Sequence, residues 1–450
     1  MSKTAHPPKV ISILAGSLLL LTPAFTNNYP FLYSDTCTYL DGGFQGLVSN
    51  MRPITYGLFM RHASLLESMW LVVMVQGLIV SWLIHLFFES FSTRYRSFLP
   101  LACIGFLSLC TQIGISVGML MPDFFTAAVF LASLLLLWSK HLRRWEVVGC
   151  LGVFWLGSAS HHSHLFIFLI MIGGVCAWSA WARWRSWDGP MPIRIVWVAL
   201  ALALAWLTIP TLHYVYGGKF ERENASHVFI LSRMTQMGIL QPFLQERCAQ
   251  GAQYNLCPYR DRIPDNFLWD PNGPVYQTGG WQANRDEYRR VIWDVLTTPR
   301  YALKFGMKTL ESTVIQFFCF EGQIVFKERE GGAPVDAMVR LWPEQLQSVR
   351  SSLQYRDQWE YRSTDRVQHF VVILGGLLCL WCLLWAPSTS LERRLGAYLL
   401  LILMANALIC AGVSMVDPRF QSRVIWLVPL FAVWLAAERW PSRLFQWGRD

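Results

Sequence analysis

The residues best suited to chemistry are Asp, Tyr and Arg side chains that follow the first apolar segment of the chain. Asp35, Tyr39 and Asp41 come first, and Arg52 and Tyr56 follow within the same polar stretch. A carboxylate just beyond a membrane helix can act as general base for a hydroxyl acceptor, or can bind a divalent metal such as Mg²⁺ or Mn²⁺. A solvated or helix-capping carboxylate is the alternative. We expect Asp35 to be the base and the residues around it to bind substrate.

Two arginines near the end of the chain have the chemistry of a phosphate site. Arg419 and Arg423 are four residues apart, so on a helix they share one face. Arginine offers a planar fork of donors that matches phosphate oxygens. Binding to lipid headgroups, or pairing with Asp417, is the alternative. We predict that both arginines hold a phosphate, and Arg52 and Arg61 support a weaker version of the same prediction.

Three histidines and one aspartate sit at the ends of other apolar segments. His161, His162 and His164 fall within four residues, and Asp123 opens an apolar run directly after Pro122. Imidazoles so close together could transfer protons or bind Zn²⁺ or Mn²⁺. Neighbouring histidines rarely bind one tetrahedral ion together, however, and a solvated turn is the simpler alternative. We expect these residues to orient a substrate and predict no metal-binding residue.

The elements that must position these residues are apolar helices. The chain has 450 residues, of which 54% are hydrophobic and 15% are charged, whereas soluble domains carry about 25% charged residues. This composition excludes an ordinary soluble protein and predicts an all-α polytopic membrane protein with about ten transmembrane helices. The predicted spans are residues 10–25, 69–88, 98–120, 124–138, 147–157, 165–181, 195–210, 370–385, 395–413 and 424–437.

The distribution of basic residues predicts the orientation of these spans. Every second loop between them is rich in Lys and Arg, as cytoplasmic loops are. We therefore expect a multi-pass protein with both termini in the cytoplasm. The formal net charge of +9 is largely explained by these loops, so nucleic acid is not an expected partner. The loop residues are Lys3, Lys9, Arg94, Arg96, Lys140, Arg143, Arg144, Arg183, Arg185, Arg194, Arg393, Arg394, Arg439 and Arg443.

Three regions follow from this pattern. Residues 1–212 form an N-terminal transmembrane module with a first outer loop at 26–64, residues 213–366 form an extracytoplasmic soluble segment, and residues 367–450 form a C-terminal transmembrane module. Within the segment, residues 285–296 and 301–320 have helical patterns, and the second could lie on the membrane surface or pack in a small domain. Cys248 and Cys257 lie in this predicted extracytoplasmic segment, where oxidising conditions favour a disulfide, with two free thiols as the alternative.

Several of these features together resemble a known family. The chain has Asp35-x-x-x-Tyr39 after the first span, then Arg52-Pro-x-x-Tyr56, and an Arg419-Phe-x-x-Arg423 pattern that precedes a proline in the last helix. With the long outer segment, this resembles membrane glycosyltransferases of the GT-C superfamily, which use polyprenyl-phosphate-linked sugars. The first loop lacks the Asp-Glu pair of that family, and the turn between the third and fourth spans lacks an acidic pair. A divalent metal, Mg²⁺ or Mn²⁺, therefore stays an open alternative.

The resemblance implies a reaction at the outer face of a bacterial inner membrane. The protein would move a sugar from a polyprenyl-phosphate-linked donor to an extracytoplasmic acceptor, which could be a glycan, a lipid or a protein. The alternatives are a transporter or flippase for a lipid-linked glycan, and a polymerase or ligase of surface polysaccharide. Many transporters have internal repeats and charged residues at mid-membrane, and neither feature is evident here.

Overall fold

The chain is described by a computed structural model. It covers residues 9–93, 98–185, 192–322, 332–360, 362–387 and 390–439. Lys3, Arg94, Arg96 and Arg443 of the predicted cytoplasmic loops lie outside these residues. Within the described residues the regular structure is helical, and the only β-pairing is an isolated bridge between Phe31 and Met119. The predicted all-α class is confirmed.

Eleven α-helices precede the long outer segment, with a π-helical turn at Asp41–Gln45 between the third and fourth. They are α1 (Lys9–Leu20), α2 (Thr22–Thr26), α3 (Thr36–Leu40), α4 (Ile54–Ala63), α5 (Met69–Phe91), α6 (Leu99–Cys110), α7 (Ile113–Gly118), α8 (Phe124–Trp138), α9 (Arg144–Ser160), α10 (His162–Trp184) and α11 (Pro192–Val215).

The outer segment contains helices of 4 to 20 residues, and in the described part of the chain four further helices follow it. The segment has α12 (Ser226–Gln236), α13 (Leu240–Ala249), α14 (Pro274–Gln277), α15 (Gly280–Ala283), α16 (Arg285–Thr297), α17 (Pro299–Phe318), α18 (Ala333–Leu341) and α19 (Leu346–Ser351). Single 3-10 turns lie at Cys257–Tyr259 and Pro343–Gln345. The closing helices are α20 (Arg362–Trp385), α21 (Leu391–Val413), α22 (Pro418–Ile425) and α23 (Leu427–Arg439).

Helices long and apolar enough to cross a membrane account for much of the described chain. Six such segments are Met69–Phe91, His162–Trp184, Arg194–Val215, Arg362–Trp385, Leu391–Val413 and Pro418–Arg439. Three apolar helices are shorter, namely Lys9–Leu20, Leu99–Cys110 and Phe124–Trp138. A membrane protein is thus supported, while the total of ten spans stays a prediction. The predicted span at 147–157 lies within α9, which begins with charged residues.

The predicted span at 98–120 is two helices instead of one. The chain leaves the helical path at Thr111 and Gln112, between α6 and α7. There the Gln112 backbone N–H donates to Gln368 Oε1 at 2.8 Å, and the Gln112 side chain donates to Asp365 Oδ1 at 2.7 Å. Both partners lie on α20, so bonds between helices replace the bonds that a continuous helix would make. The break leaves Gln112 close to the site described below.

Basic residues of the predicted cytoplasmic loops meet acidic partners at one end of the helices. Lys9 pairs with Glu89 and Glu146, which joins the start of α1 to the end of α5 and the start of α9. Arg439 at the end of α23 lies 4.0 Å from Glu392 at the start of α21. These contacts bring the basic ends together, as an alternating topology requires.

The outer segment has a small apolar core of its own. It is built mainly from α12, α13 and α16, and Leu231, Phe243 and Val291 are among its fully buried members. Cys248 at the end of α13 is within disulfide-bonding distance of Cys257, with a Cα–Cα distance of 5.7 Å. The pair that the sequence predicts is therefore brought together. The helical patterns at 285–296 and 301–320 correspond to α16 and α17.

Candidate functional site at one end of the helices

The candidate site forms where the start of α22 meets the start of α8 and the first outer loop. The Asp417 side chain accepts the Arg419 N–H at 2.9 Å and caps α22, and Pro418 occupies the first helical position. The helix therefore begins before the predicted span at 424–437 and includes both arginines. Arg419 and Arg423 lie on the same side of this helix, as their spacing predicts, and both reach Asp123 at the start of α8.

Asp123 is shared by the two guanidinium groups. Arg423 Nη1 lies 3.3 Å and Arg419 Nε 3.8 Å from Asp123 Oδ1. Arg423 and Asp123 are only 2% and 3% exposed, so this is a buried ion pair. Burial raises the pKa of the Asp123 carboxyl, but Arg419 and Arg423 lower it by more, so its pKa is below the ordinary value. Asp123 is therefore ionised at neutral pH.

Asn406 on α21 fixes the position of Arg423. Its Oδ1 accepts from Arg423 Nη2 at 3.0 Å, while its side-chain nitrogen donates to the Phe420 carbonyl at 2.7 Å and to Gln421 Oε1 at 2.9 Å. A polar residue inside an apolar helix is expected to bond to another helix, and Asn406 does so. The sequence did not indicate that its partner would be a site residue.

Asp35 reaches the same cluster from the first outer loop. Arg52 Nη2 donates to Asp35 Oδ2 at 2.6 Å, and Arg419 Nη1 lies 3.8 Å from the same oxygen. The Arg419 guanidinium also stacks over the Tyr33 ring, 4.1 Å from its centroid. Arg419 thus lies between two carboxylates that are far apart in sequence. Tyr33 was missed by the sequence reasoning, although it is two residues from Asp35.

Several polar atoms in this cluster have no hydrogen-bond partner among the described residues. They include Asp123 Oδ2, Arg419 Nε and Nη1, Arg423 Nε, Arg52 Nε and the Tyr39 hydroxyl. Buried polar groups are normally paired, and each unpaired one costs about 1–3 kcal/mol. A ligand rich in oxygen atoms would supply the missing partners for the arginines. The cavity beside Asp123, Arg419 and Arg423 has a volume of about 30 Å³, which suits water but not a whole substrate.

The three histidines have different surroundings. His164 is buried, and its ring contacts Thr126 Oγ1 at 2.6 Å and the Gly157 carbonyl at 2.7 Å. His161 Nδ1 accepts from the Ser163 N–H at 3.2 Å and caps α10. His162 differs, because both of its ring nitrogens lack a partner among the described residues. Arg52, Glu223 and His213 lie within electrostatic range of it.

Tyr39, Tyr56 and Asp41 are the remaining predicted site residues. Tyr39 and Tyr56 pack edge to face, with ring centroids 5.0 Å apart, and the Tyr56 hydroxyl donates to Gln76 Oε1 at 2.7 Å. Asp41 lies 2.6 Å from Arg340 of α18 and is not among the partners of the arginine cluster. Substrate-binding roles for these three residues stay predictions.

The described residues contain no group of three or more His, Cys, Asp or Glu side chains that could hold a metal ion. Asp35 and Asp123 are instead neutralised by arginines. The donor set therefore does not fit a divalent cation. No family model, curated protein or solved structure matches the chain.

Proposed function

We propose that the protein is a GT-C-like glycosyltransferase that moves a sugar from a polyprenyl-phosphate-linked donor to an extracytoplasmic acceptor. The observation that supports this proposal is the pair Arg419 and Arg423, which both have N–H groups without a hydrogen-bond partner among the described residues, and Arg419 Nη1 lies 3.8 Å from the Asp35 carboxylate. Such donors match the oxygen atoms of a phosphate. A carboxylate beside a phosphate site is the arrangement that sugar transfer from a phosphate leaving group needs.

The proposed chemistry is a single displacement. The acceptor hydroxyl oxygen attacks the anomeric carbon, the bond from that carbon to the phosphate oxygen breaks, and polyprenyl phosphate leaves with the electron pair. Asp35 takes the hydroxyl proton as general base. Arg419 and Arg423 stabilise the negative charge that develops on the departing phosphate. Inversion at the anomeric carbon follows from one displacement.

Asp123 has a separate role in this proposal. Without a donor, its carboxylate neutralises the two arginines, which lie 3.3 and 3.8 Å away. A phosphate would compete with it for the same N–H groups. The paired state also keeps the guanidinium groups in place, so that less side-chain entropy is lost when the donor binds. Asp123 and the neighbouring histidines would then orient the donor.

The test is the variant Asp35→Asn, assayed with purified protein and polyprenyl-phosphate sugars in membranes that contain the native acceptor. Loss of a positioned base should lower the release of polyprenyl phosphate by roughly 10²–10⁴-fold. Donor binding should change little. Asp336→Asn is the matched control, because Asp336 is an exposed carboxylate on α18 and makes no ion pair with any described residue.

Two results would contradict the proposal. If wild-type protein releases no polyprenyl phosphate from any donor, the enzyme assignment fails, and transbilayer movement of a lipid-linked glycan becomes the function to measure. If Asp35→Asn turns over at the wild-type rate, Asp35 is not the base. Retained donor binding in that variant distinguishes a chemical defect from misfolding.

A further inference from the structure

A polar cleft lies between the first outer loop and the start of the long outer segment. Its volume is about 390 Å³, within the range of small-molecule sites. It is lined by residues that include Asn50, His213, Lys219, Glu221, Glu223 and Gln282. None of these residues belongs to the arginine cluster. The side chains offer both hydrogen-bond donors and acceptors in a small space.

Contacts between distant parts of the chain hold the cleft open. The Asn224 N–H donates to the Asn50 carbonyl at 3.0 Å, and the Asn224 side chain donates to Gln282. Arg285 at the start of α16 lies 3.2 Å from Glu221. The first loop, the residues after α11 and the chain around α15 and α16 are thereby joined. The cleft is therefore formed before any ligand arrives.

Buried polar atoms in and beside the cleft lack partners among the described residues. His213 is 3% exposed, and its Nδ1 makes a 2.8 Å hydrogen bond with the Glu221 carbonyl, so Nδ1 is the donor. Its Nε2 is then an acceptor, and it has no partner. Asn224 Oδ1 is a second acceptor without a partner. Free acceptors require a ligand that donates hydrogen bonds, as hydroxyl groups do.

The charges that line the cleft nearly balance. Arg285 pairs with Glu221, which leaves one carboxylate, Glu223, and one cation, Lys219. Burial raises the pKa of Glu223, but hydrogen bonds from Ala225 and Ser226 lower it by more, so its pKa lies below the ordinary value and the group is ionised at neutral pH. A phosphate or carboxylate would lie close to the Glu223 carboxylate, whereas a neutral hydroxylated molecule suits a cleft without excess charge.

His162 is within electrostatic range of residues of the cleft and of the partner of the candidate base. The cleft residues are Glu223 and His213, and the partner is Arg52. Arg52 in turn bonds to Asp35 at 2.6 Å. Both ring nitrogens of His162 lack a hydrogen-bond partner among the described residues, so they are free to bind a hydroxyl group of a ligand.

We propose that this cleft binds a neutral glycan, whose free hydroxyl end extends past His162 toward Asp35. Its role as the acceptor site rests on the proposed function, whereas glycan binding itself can be measured without any transfer. The cleft and the arginine cluster would then hold the two substrates on opposite sides of Asp35.

The test measures binding of the purified full-length protein to an array of short synthetic oligosaccharides in neutral, uronic-acid and phosphorylated forms. Wild-type protein should bind neutral members best. Asn50→Ala and Lys219→Ala should each lower the affinity by about tenfold, which is the loss of one or two hydrogen bonds. Neither side chain makes a hydrogen bond or ion pair with a described residue, so folding should be kept. Asn272→Ala and Lys140→Ala, exposed outside the cleft, are the matched controls.

The binding results either support or exclude a glycan site in the cleft. Selective loss in the two cleft variants supports the cleft as a glycan site. Failure of wild-type protein to bind any neutral oligosaccharide, tighter binding of phosphorylated members, or unchanged binding in both variants overturns it. Polyprenyl phosphate binding is measured on the same samples. If wild-type protein binds neutral oligosaccharides but not polyprenyl phosphate, the proposed function is contradicted and the glycan site is still supported.

Discussion

Arg423 lies near the start of Pro418–Arg439, a segment long and apolar enough to cross a membrane. An unpaired guanidinium at that position would be very costly. Asp123 Oδ1 at 3.3 Å and Asn406 Oδ1 at 3.0 Å offset that cost. Breaking a buried ion pair from one side typically destabilises a protein by about 3–5 kcal/mol, because the other charge stays buried. The arginine is therefore needed for stability as well as for the proposed phosphate contact, and a test must separate the two.

We expect Arg423→Lys to separate them. Lysine keeps the positive charge beside Asp123 but cannot make the bidentate contact, so polyprenyl phosphate affinity should fall about tenfold while thermal stability changes less. Arg423→Ala should lose both. Arg300→Ala is the control, because Arg300 is 82% exposed and its partner Glu246 lies outside the cluster. Wild-type affinity in a folded Arg423→Ala protein would rule out the phosphate contact.

Local spacing predicted part of this cluster and could not predict the rest. Arg419 and Arg423 share a side of α22, as any pair four residues apart in a helix does. Their meeting with Asp123 depends on two helices whose sequence positions are 300 residues apart. The role of Asn406 was hidden for the same reason. A polar residue in an apolar helix indicates a partner but does not identify it.

Helix α17 has an unusual surface for a helix outside the predicted spans. Leu303, Met307, Leu310, Val314 and Phe318 are each between 56% and 68% exposed. Their spacing of three or four residues places them along one side of the helix. α17 also packs against α21, which is itself long and apolar enough to cross a membrane. A contiguous apolar surface beside such a helix is suited to lipid.

We therefore expect α17 to contact the membrane. A fluorophore attached at Leu310→Cys, in a background without other reactive cysteines, should be quenched when the protein is reconstituted into brominated lipid. The same label at Asn272→Cys, in an exposed turn before α14, should not be quenched. Equal fluorescence of both labels in brominated and ordinary lipid would place α17 in water. The outer segment would then be soluble throughout, as its overall polarity first indicated.

Hydropathy located the apolar helices better than it located their ends or breaks. The stretch at 98–120 reads as one span, yet it divides at Gln112, where partners on α20 replace the helical bonds. Those partners are more than 250 residues away in sequence, so no local pattern could reveal them. The predicted span at 424–437 also begins later in the sequence than α22 does, at Pro418. Arg419 and Arg423 lower the hydropathy of this stretch, although their ion pairs stabilise the helix.

Two groups of ion pairs lie at opposite ends of the helices. One end carries Lys9 with Glu89 and Glu146, and Arg439 with Glu392. The other end carries the Asp35, Asp123 and arginine cluster, together with the contacts of the outer segment. Gln316 of α17, for example, bonds to the Asp417 backbone at 2.8 and 2.9 Å. The candidate site and the outer segment therefore lie at the same end of the helices.

The basic end is expected to be cytoplasmic, because short cytoplasmic loops are enriched in Lys and Arg. Fusions of a reporter that is active only outside and a reporter that is active only inside, placed after Ser139, Gly279 and Ser390, can test this. Ser139 and Ser390 should report inside and Gly279 outside. Ser139 is a useful reference position, since its carbonyl accepts a hydrogen bond from Arg194 at the basic end.

An inside signal at Gly279 would place the outer segment, and with it Asp35 and the arginine cluster, in the cytoplasm. An extracytoplasmic acceptor could then not reach the site, and the proposed reaction would have to be abandoned.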